Sequence, residues 1–256
     1  MSDLLVATPT VMTPPRIHLP PLPEAEIYYP ESDGEPMGET DIHVDEIATI
    51  LKMLKIRYLA APDVHVAGNS FIYYEEGDPT ARFSPDCYVV FGVPKRLRRT
   101  YKLWIEKRAP VFVMEISSRK TWLEDFGNKK ALCAYLGIAE YFLYDPENDY
   151  LKPPLQGFRL KGALYESIEP EADGSLFSET LGLRFHLEND LIQLTDAASG
   201  ERLLRPEEAD AARRAAEAAR RAAEAQAVKE AKERYAAEAR LAELEAELER
   251  LRGKQQ

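Results

Sequence analysis

Two acidic residues lie in short apolar runs near the middle of the chain. Asp86 follows Pro85 and begins Asp86-Cys87-Tyr88-Val89-Val90-Phe91, and Glu115 lies within Val111-Phe112-Val113-Met114-Glu115-Ile116. Short runs of β-branched and aromatic residues predict buried strands. A bare carboxylate in such a strand costs several kcal/mol, so two of them on neighbouring strands suggest a shared cation.

Mg²⁺ suits a pair of carboxylates, because it is held by one or two of them together with waters and phosphate oxygens. The chemistry that this pattern indicates is metal-assisted hydrolysis of a phosphodiester bond. Each acid also has a structural interpretation. Asp86 could be a surface acid at a strand end, and Glu115 a buried glutamate paired with a lysine.

A helix and a third strand follow the two acidic runs. Thr121 and Glu124 have the spacing of a capping box, which predicts a helix beginning near Trp122, and Gly137 is a natural terminator. The run Tyr141-Phe142-Leu143-Tyr144 then predicts another strand, stopped by Asp145-Pro146. The order is therefore strand, strand, helix, strand.

Lys129 lies within the predicted apolar stripe of this helix. The stripe is formed by Trp122, Phe126, Cys133 and Leu136. A lysine on a core-facing side needs an acidic partner, which Glu115 or Asp86 could provide. The competing interpretation is a surface pair with Asp125 at i,i+4 spacing, and Lys130 is an alternative lysine with a similar offset from the stripe.

The composition of the whole chain narrows the class of protein. With 256 residues, 45% hydrophobic and 30% charged, we expect one domain of about 150–200 residues plus extensions. Two cysteines, Cys87 and Cys133, are too few for a disulfide framework and have no metal-ligand spacing. No targeting segment and no apolar run of membrane-spanning length is evident, so we expect a soluble cytoplasmic protein.

Basic residues are concentrated between and beside the two acids, although the net charge is −11. Residues 95–108 contain seven Lys or Arg against one Glu. The candidates for contacts with a nucleic-acid backbone are Lys95, Arg96, Arg98, Arg99, Lys102, Arg119 and Lys120. The alternative is that this charged run is a solvated loop.

Two further segments lie before the acidic strands. Residues 1–26 are rich in proline and predict a flexible arm. Residues 41–57 have helical apolar spacing, and His43 on this stripe is interpreted as a core residue, with an auxiliary role in the acidic site as the alternative. Glu39, just before this helix, is an auxiliary candidate for the acidic site.

The C-terminal segment differs sharply in composition. Residues 206–252 are rich in Ala, Glu, Arg and Leu without an interior Gly or Pro, which predicts one helix of about 70 Å. A 3-4-3 leucine pattern favours a coiled coil, and hence a homodimer or a helical partner. The pattern is formed by Leu241, Leu244, Leu248 and Leu251. A solvated single helix is the alternative.

Several of these motifs resemble the Uma family of bacterial endonucleases, a branch of the PD-(D/E)XK nuclease superfamily. The matching stretches are Pro85-Asp86, Glu115-Ile116-Ser117, and residues 125–146 from Asp125 through Lys129 and Gly137 to Glu140-Tyr141-Phe142-Leu143-Tyr144-Asp145-Pro146. Residues 29–37 and 39–43 resemble the entry to the family's first helix. The resemblance covers residues 27–195.

The resemblance implies an α/β restriction-endonuclease-like core of order α-β-β-β-α-β, with a mixed sheet flanked by helices, over residues 27–200. It implies that Asp86 and Glu115 hold Mg²⁺, or Mn²⁺, with help from the Ile116 carbonyl. The superfamily's lysine usually follows the glutamate by two positions, where this chain has Ser117. In this branch the lysine lies on the following helix, at Lys129, where it would orient the attacking water.

Two functions of different classes are consistent with the sequence. The first is a Mg²⁺-dependent endonuclease acting on DNA, with Asp86, Glu115 and Lys129 as the catalytic set. The second is an inactive nuclease-fold module that recruits a partner through residues 206–256. The order of the motifs favours the first function, and the net charge of −10 over residues 1–205 favours the second.

Overall fold

The computed structural model describes residues 27–32 and 40–252. The predicted arm at residues 1–26 and the candidate Glu39 lie outside these residues. The fold is a mixed α/β arrangement with three sheets and a long C-terminal helix. Within the described ranges no helix is both long and apolar enough to span a membrane.

A six-stranded mixed sheet forms the centre of the fold. Its strands, in spatial order, are β1 (Val64–Ala67), β4 (Cys87–Phe91), β6 (Phe112–Ile116), β7 (Glu140–Tyr144), β8 (Leu155–Lys161) and β9 (Leu164–Ser167). Only β6 and β7 are parallel, and the other neighbours are antiparallel. A parallel pair needs a crossover connection, which explains why a helix separates these two strands.

Helix α1 (Asp41–Arg57) packs against one face of this sheet. Its bounds are those predicted, and its apolar stripe is buried at Ile47, Ile50 and Leu54. The predicted α-β-β-β-α-β order is present in the central sheet and its helices. It is formed by α1, β1, β4, β6, the helix that connects β6 to β7, and β7. The prediction of the fold class is confirmed.

The crossover helix is interrupted by a wider turn. It consists of α3 (Trp122–Glu124), a π-helical turn (Asp125–Lys129) and α4 (Lys130–Tyr135), and Gly137 follows with a positive φ of 74°. The predicted start and end of the helix are confirmed. The capping box is wrong, because the Thr121 side chain accepts a hydrogen bond from the Ser118 amide instead of capping the helix.

Two smaller sheets flank the centre. One contains β10 (Leu176–Ser178), β11 (Leu183–Glu188), β12 (Leu191–Asp196) and β13 (Arg202–Leu203), and the other contains β2 (Ile72–Tyr73), β3 (Arg82–Phe83) and β5 (Tyr101–Lys102). Helix α2 (Leu103–Glu106) follows β5 directly. The core consists of two buried clusters. One contains side chains of α1 and of β10, β11 and β12, and the other contains side chains of β2, β3 and β5.

The C-terminal helix α5 (Pro206–Arg252) has the predicted bounds. Its start is fixed to the fold by Arg205, whose guanidinium contacts Glu46 of α1 and the Ile192 carbonyl. From Asp210 to Ala246 every side chain is exposed, and Leu248 and Leu251 lie outside the residues whose side chains are described. The coiled coil therefore stays a prediction.

Candidate active site

Asp86 and Glu115 meet at the end of the β4–β6 pair. Antiparallel pairing places Cys87 opposite Met114, so Asp86, which immediately precedes β4, lies opposite Glu115 of β6. The Asp86 amide donates to Glu115 Oε2 at 3.2 Å, and the Ile116 amide donates to Asp86 Oδ2 at 2.8 Å. Each carboxylate is thus held by the backbone of the other strand, which fixes both acids at one point.

Lys129 reaches this pair from the π-helical turn. Its Nζ lies 3.1 Å from Glu115 Oε2 and 2.9 Å from Asp125 Oδ1. The same ammonium therefore pairs with the strand acid and with the i,i+4 acid, and its pair with Asp125 is buried and not at the surface. Lys130 is not an alternative at this site, because its Nζ lies over the Phe126 and Phe158 rings, at 4.5 and 3.7 Å from their centroids.

Asp125 is a member of the site that the sequence interpretation placed at the surface. Its side chain is fully buried, and the Ser117 hydroxyl donates to its Oδ2 at 3.2 Å. The Tyr141 hydroxyl donates to its backbone carbonyl at 2.7 Å. Ser117, which occupies the superfamily's lysine position, thus supports the carboxylate that holds Lys129.

The three carboxylates and one lysine perturb one another. Burial raises the pKa of Glu115 well above its ordinary value, Lys129 opposes this, and the carboxylates of Asp86 and Asp125 add to it. Burial also raises the pKa of Asp125. Burial works to lower the pKa of Lys129, but the surrounding carboxylates outweigh burial and raise that pKa. The site therefore holds a charged lysine and two acids, Glu115 and Asp125, that are costly to ionise.

His43 lies beside the acids, as a buried residue of α1 with 2% of its surface exposed. Its Nε2 contacts the Ile116 carbonyl and lies 3.8 Å from Asp86 Oδ2. Because a carbonyl only accepts, Nε2 carries the proton in this contact. His43 is thus a core residue, as its spacing indicated, and it also borders the candidate site.

The donor atoms present fit a magnesium ion better than a metal held entirely by protein. Glu115 Oε1 is buried and has no hydrogen-bond partner among residues 27–32 and 40–252. Over the same ranges no three His, Cys, Asp or Glu side chains form a metal-binding group. Mg²⁺ needs only one or two carboxylates, with waters completing its shell. An unpartnered carboxylate oxygen beside Asp86 meets that requirement.

Most of the candidate backbone-binding residues make intramolecular contacts. Lys95 donates to the Tyr58 and Leu59 carbonyls at the end of α1. Arg96 and Arg98 both contact Glu106. The two remaining pairs are Arg99 with Glu31 at 3.0 Å and Lys102 over the Tyr29 ring at 4.0 Å.

Arg119 and Lys120 are exposed in the turn that follows β6. Their contact with a nucleic-acid backbone stays a prediction.

Comparisons with known proteins place the chain in a family. The chain matches the family model Uma2, described as "Putative restriction endonuclease", over residues 19–195. A comparison with curated proteins found no match. Among solved structures, the chain is similar to one described as "a putative nuclease belonging to DUF820 from Anabaena variabilis ATCC 29413", with 14% identity, a TM-score of 0.43, and coverage of 56% of this chain and 75% of that chain. Because the family model spans more than half of the sequence, the chain belongs to the Uma2 family of restriction-endonuclease-like proteins.

Proposed function

We propose that this protein is a Mg²⁺-dependent endonuclease that hydrolyses phosphodiester bonds of DNA. Membership of the Uma2 family supports nuclease chemistry in general. The observation that carries the more specific proposal is the convergence of Asp86, Glu115 and Lys129. These residues come from two strands and a helical turn, and hydrogen bonds and an ion pair of 2.8 to 3.2 Å link them.

Asp86 and Glu115 would hold the magnesium ion, Asp86 at the strand entrance and Glu115 through its unpartnered Oε1. When bound, the ion would polarise a phosphate oxygen and lower the pKa of a bound water. It would also offset the cost of ionising Glu115, whose pKa burial raises. The Ile116 carbonyl has one lone pair left beside its contact with His43, so it could contribute as a further oxygen ligand.

Lys129 would orient the attacking water and offset the charge that develops on the phosphate. Its ammonium is kept charged by Glu115 and Asp125, so it donates hydrogen bonds and does not act as a general base at neutral pH. Asp125 would be a positioning residue, since it holds Lys129 through the ion pair of 2.9 Å.

DNA would approach along the basic residues next to this site. Arg119 and Lys120 follow the acidic strand and are exposed. Contacts of this kind act on the phosphates and are independent of base sequence, so we expect affinity to fall steeply with salt.

A metal titration of thermal stability tests the proposal without relying on activity. Mg²⁺ should raise the melting temperature of the parent protein, because an ion that binds the folded state stabilises it. Glu115→Gln should lose this increase, since the amide is a poorer ligand and carries no charge. Glu166→Gln is the control, because Glu166 is exposed on β9 and pairs with Lys161. It should retain the increase.

A plasmid-nicking assay with Mg²⁺ and with Mn²⁺ then tests the reaction itself. Cleavage by the parent and none by Glu115→Gln would support the endonuclease. If Mg²⁺ does not stabilise the parent protein and the parent does not nick the plasmid, the proposal is contradicted. That result would favour the alternative of an inactive nuclease-fold module that recruits a partner.

A further inference from the structure

A second concave site lies on the edge of the central sheet, next to the acidic residues. It has a volume of about 530 Å³, which lies within the range of ligand pockets. The end of α1 forms one wall, edge strand β1 and Tyr88 of β4 form the floor, and residues 95–98 form the other wall. Two of its rim side chains, Leu59 and Leu97, are strongly exposed apolar groups. The site therefore combines an open apolar mouth with a polar floor.

The floor carries a buried histidine whose hydrogen-bonding capacity is unused. His65 is 7% exposed, and its ring stacks on Tyr101 with centroids 6.0 Å apart and an interplanar angle of 15°. Its Nε2 has no hydrogen-bond partner in the part of the chain that the structure describes. Burial and the charge of Arg98 lower the pKa of His65 to about 4, so the imidazole is neutral near pH 7. A neutral imidazole can form a hydrogen bond with the uncharged polar edge of a ligand ring.

The walls carry positive charge: Lys55, Lys95 and Arg96 are exposed, whereas the Arg98 side chain is only 5% exposed. Lys55, Lys95, Arg96 and Arg98 all border the cavity. Glu106, which contacts Arg96 and Arg98, is the acid that compensates part of this charge. A ligand with an aromatic, polar-edged ring and a phosphate is complementary to such a site, because the ring fits between the apolar side chains of the mouth, its polar edge reaches the floor, and the phosphate fits the basic walls.

The cavity lies within one nucleotide's reach of the candidate active site. Tyr88 lies opposite Val113, and Glu115 lies two residues beyond Val113 on β6, so the Tyr88 and Glu115 side chains lie on the same face of the sheet, about 7 Å apart along the strand direction. Gly68, also at the cavity, packs directly on the backbone of Asp86, and a Cβ on it would lie 1.9 Å from the Asp86 carbonyl oxygen. Only glycine allows this approach.

From these observations we infer that the cavity binds the base of an unstacked nucleotide adjacent to the phosphate held at Asp86 and Glu115. The base enters between Leu59 and Leu97 and reaches His65, and its phosphate lies against the basic rim. This inference rests on the proposed function and specifies its substrate. The protein should prefer single-stranded or frayed DNA, whose bases are free to leave the stack, over an intact duplex.

Binding measured by fluorescence anisotropy in EDTA tests this inference, because no cleavage occurs without metal. The probes are a short oligothymidylate, the same strand built from abasic residues, and a fully paired duplex of equal length. The parent should bind the oligothymidylate on the order of tenfold more tightly than the abasic strand, which keeps the phosphates and lacks the bases.

Two cavity variants should remove this difference. Ala67→Phe fills the cavity from the edge strand, and His65→Leu removes the polar group at the floor. Both should bind the oligothymidylate and the abasic strand equally, and both should bind the duplex as the parent does. Glu166→Gln is the matched control and should keep the tenfold difference. A thermal melt of each variant verifies folding, and His65→Leu decides the matter if Ala67→Phe does not fold.

Three results would overturn the inference. The first is equal affinity of the parent for the oligothymidylate and the abasic strand. The second is that both folded variants keep the parent's preference for the oligothymidylate. The third is that the variants lose affinity equally for the duplex and for the oligothymidylate. None of these results affects the metal-induced stabilisation or the nicking activity, which test the proposed function separately. Conversely, a parent protein that binds the oligothymidylate more tightly than the abasic strand but does not nick plasmid DNA would support the cavity as a nucleotide-binding site and contradict only the nuclease proposal.

Discussion

Replacing Lys129 with alanine removes the cation on which two buried acids depend. Its Nζ is 3.1 Å from Glu115 Oε2 and 2.9 Å from Asp125 Oδ1, and both acids are fully buried. Nothing else among the described contacts of these two carboxylates is a lysine or arginine. Lys129→Ala therefore leaves two buried carboxylates without a counter-charge.

The cost can be bounded and should depend on pH. Breaking a buried pair by removing one partner costs about 3–5 kcal/mol. The folded protein can reduce this cost by protonating Glu115, whose pKa burial already raises and which loses the opposing effect of Lys129 in the variant. A carboxylate whose folded pKa lies above its unfolded pKa destabilises the fold as pH rises between the two values. The difference in stability between parent and variant should therefore be small near pH 4 and reach its full size at neutral to alkaline pH.

Urea denaturation of both proteins at several pH values measures this difference. Lys130→Ala is the matched control, because Lys130 is the next residue in the chain and the described contacts of its ammonium are with aromatic rings. These contacts should contribute about 1 kcal/mol to stability at every pH. In the nicking assay, Lys129→Ala should cleave about 10² to 10³ times more slowly while its Mg²⁺-induced stabilisation persists. A variant that cleaves at the parent rate, or whose loss of stability does not grow with pH, would refute this account of the site.

Two further predictions concern Asp125 and α5. Asp125→Asn should retain the Mg²⁺-induced stabilisation and lower the nicking rate about 10- to 100-fold, as expected for a residue that positions another; the parent rate in this variant would remove Asp125 from the mechanism. Truncation after Arg214 keeps the first turns of α5, which contact Arg202 and Arg205. If α5 mediates dimerisation, the mass measured by light scattering should halve and the metal response should stay unchanged, whereas an unchanged mass would count against the coiled coil.

The sequence predicted the acidic strands, α1 and α5 because the signals for these elements are local. Apolar runs bounded by proline, a helical stripe and an Ala-rich segment each report directly on one element. The two acidic strands, which the sequence interpretation took as neighbours, do pair, although β5 and α2 lie between them in the chain.

The arrangement around Lys129 could not be predicted in the same way. The π-helical turn inserts an extra residue into the helical period, so Phe126 is 46% exposed although a regular stripe would bury it. Asp125 and Lys129 are the first and last residues of this turn, and the Lys129 ammonium lies between Asp125 and Glu115. Asp125 was therefore interpreted as a surface partner, while its burial comes from Ser117 and from packing beneath β7.

The basic segment illustrates a different limit. Seven cations over residues 95–108 indicate a phosphate-binding surface, yet Lys95, Arg96 and Arg98 each contact the protein itself. Sequence shows how much charge a segment carries and does not show which acids and carbonyls fold back onto it. Glu106 is the acid that contacts two of these residues, Arg96 and Arg98.

Helix α5 also affects how the molecule moves through solution. At 1.5 Å per residue its 47 residues extend about 70 Å, whereas a compact domain of the preceding size is only about 40 Å across. A single copy with such a projection experiences far more frictional drag than a sphere of equal mass. Its elution volume on a gel-filtration column would match that of a larger globular standard, and so would imitate a dimer where none exists.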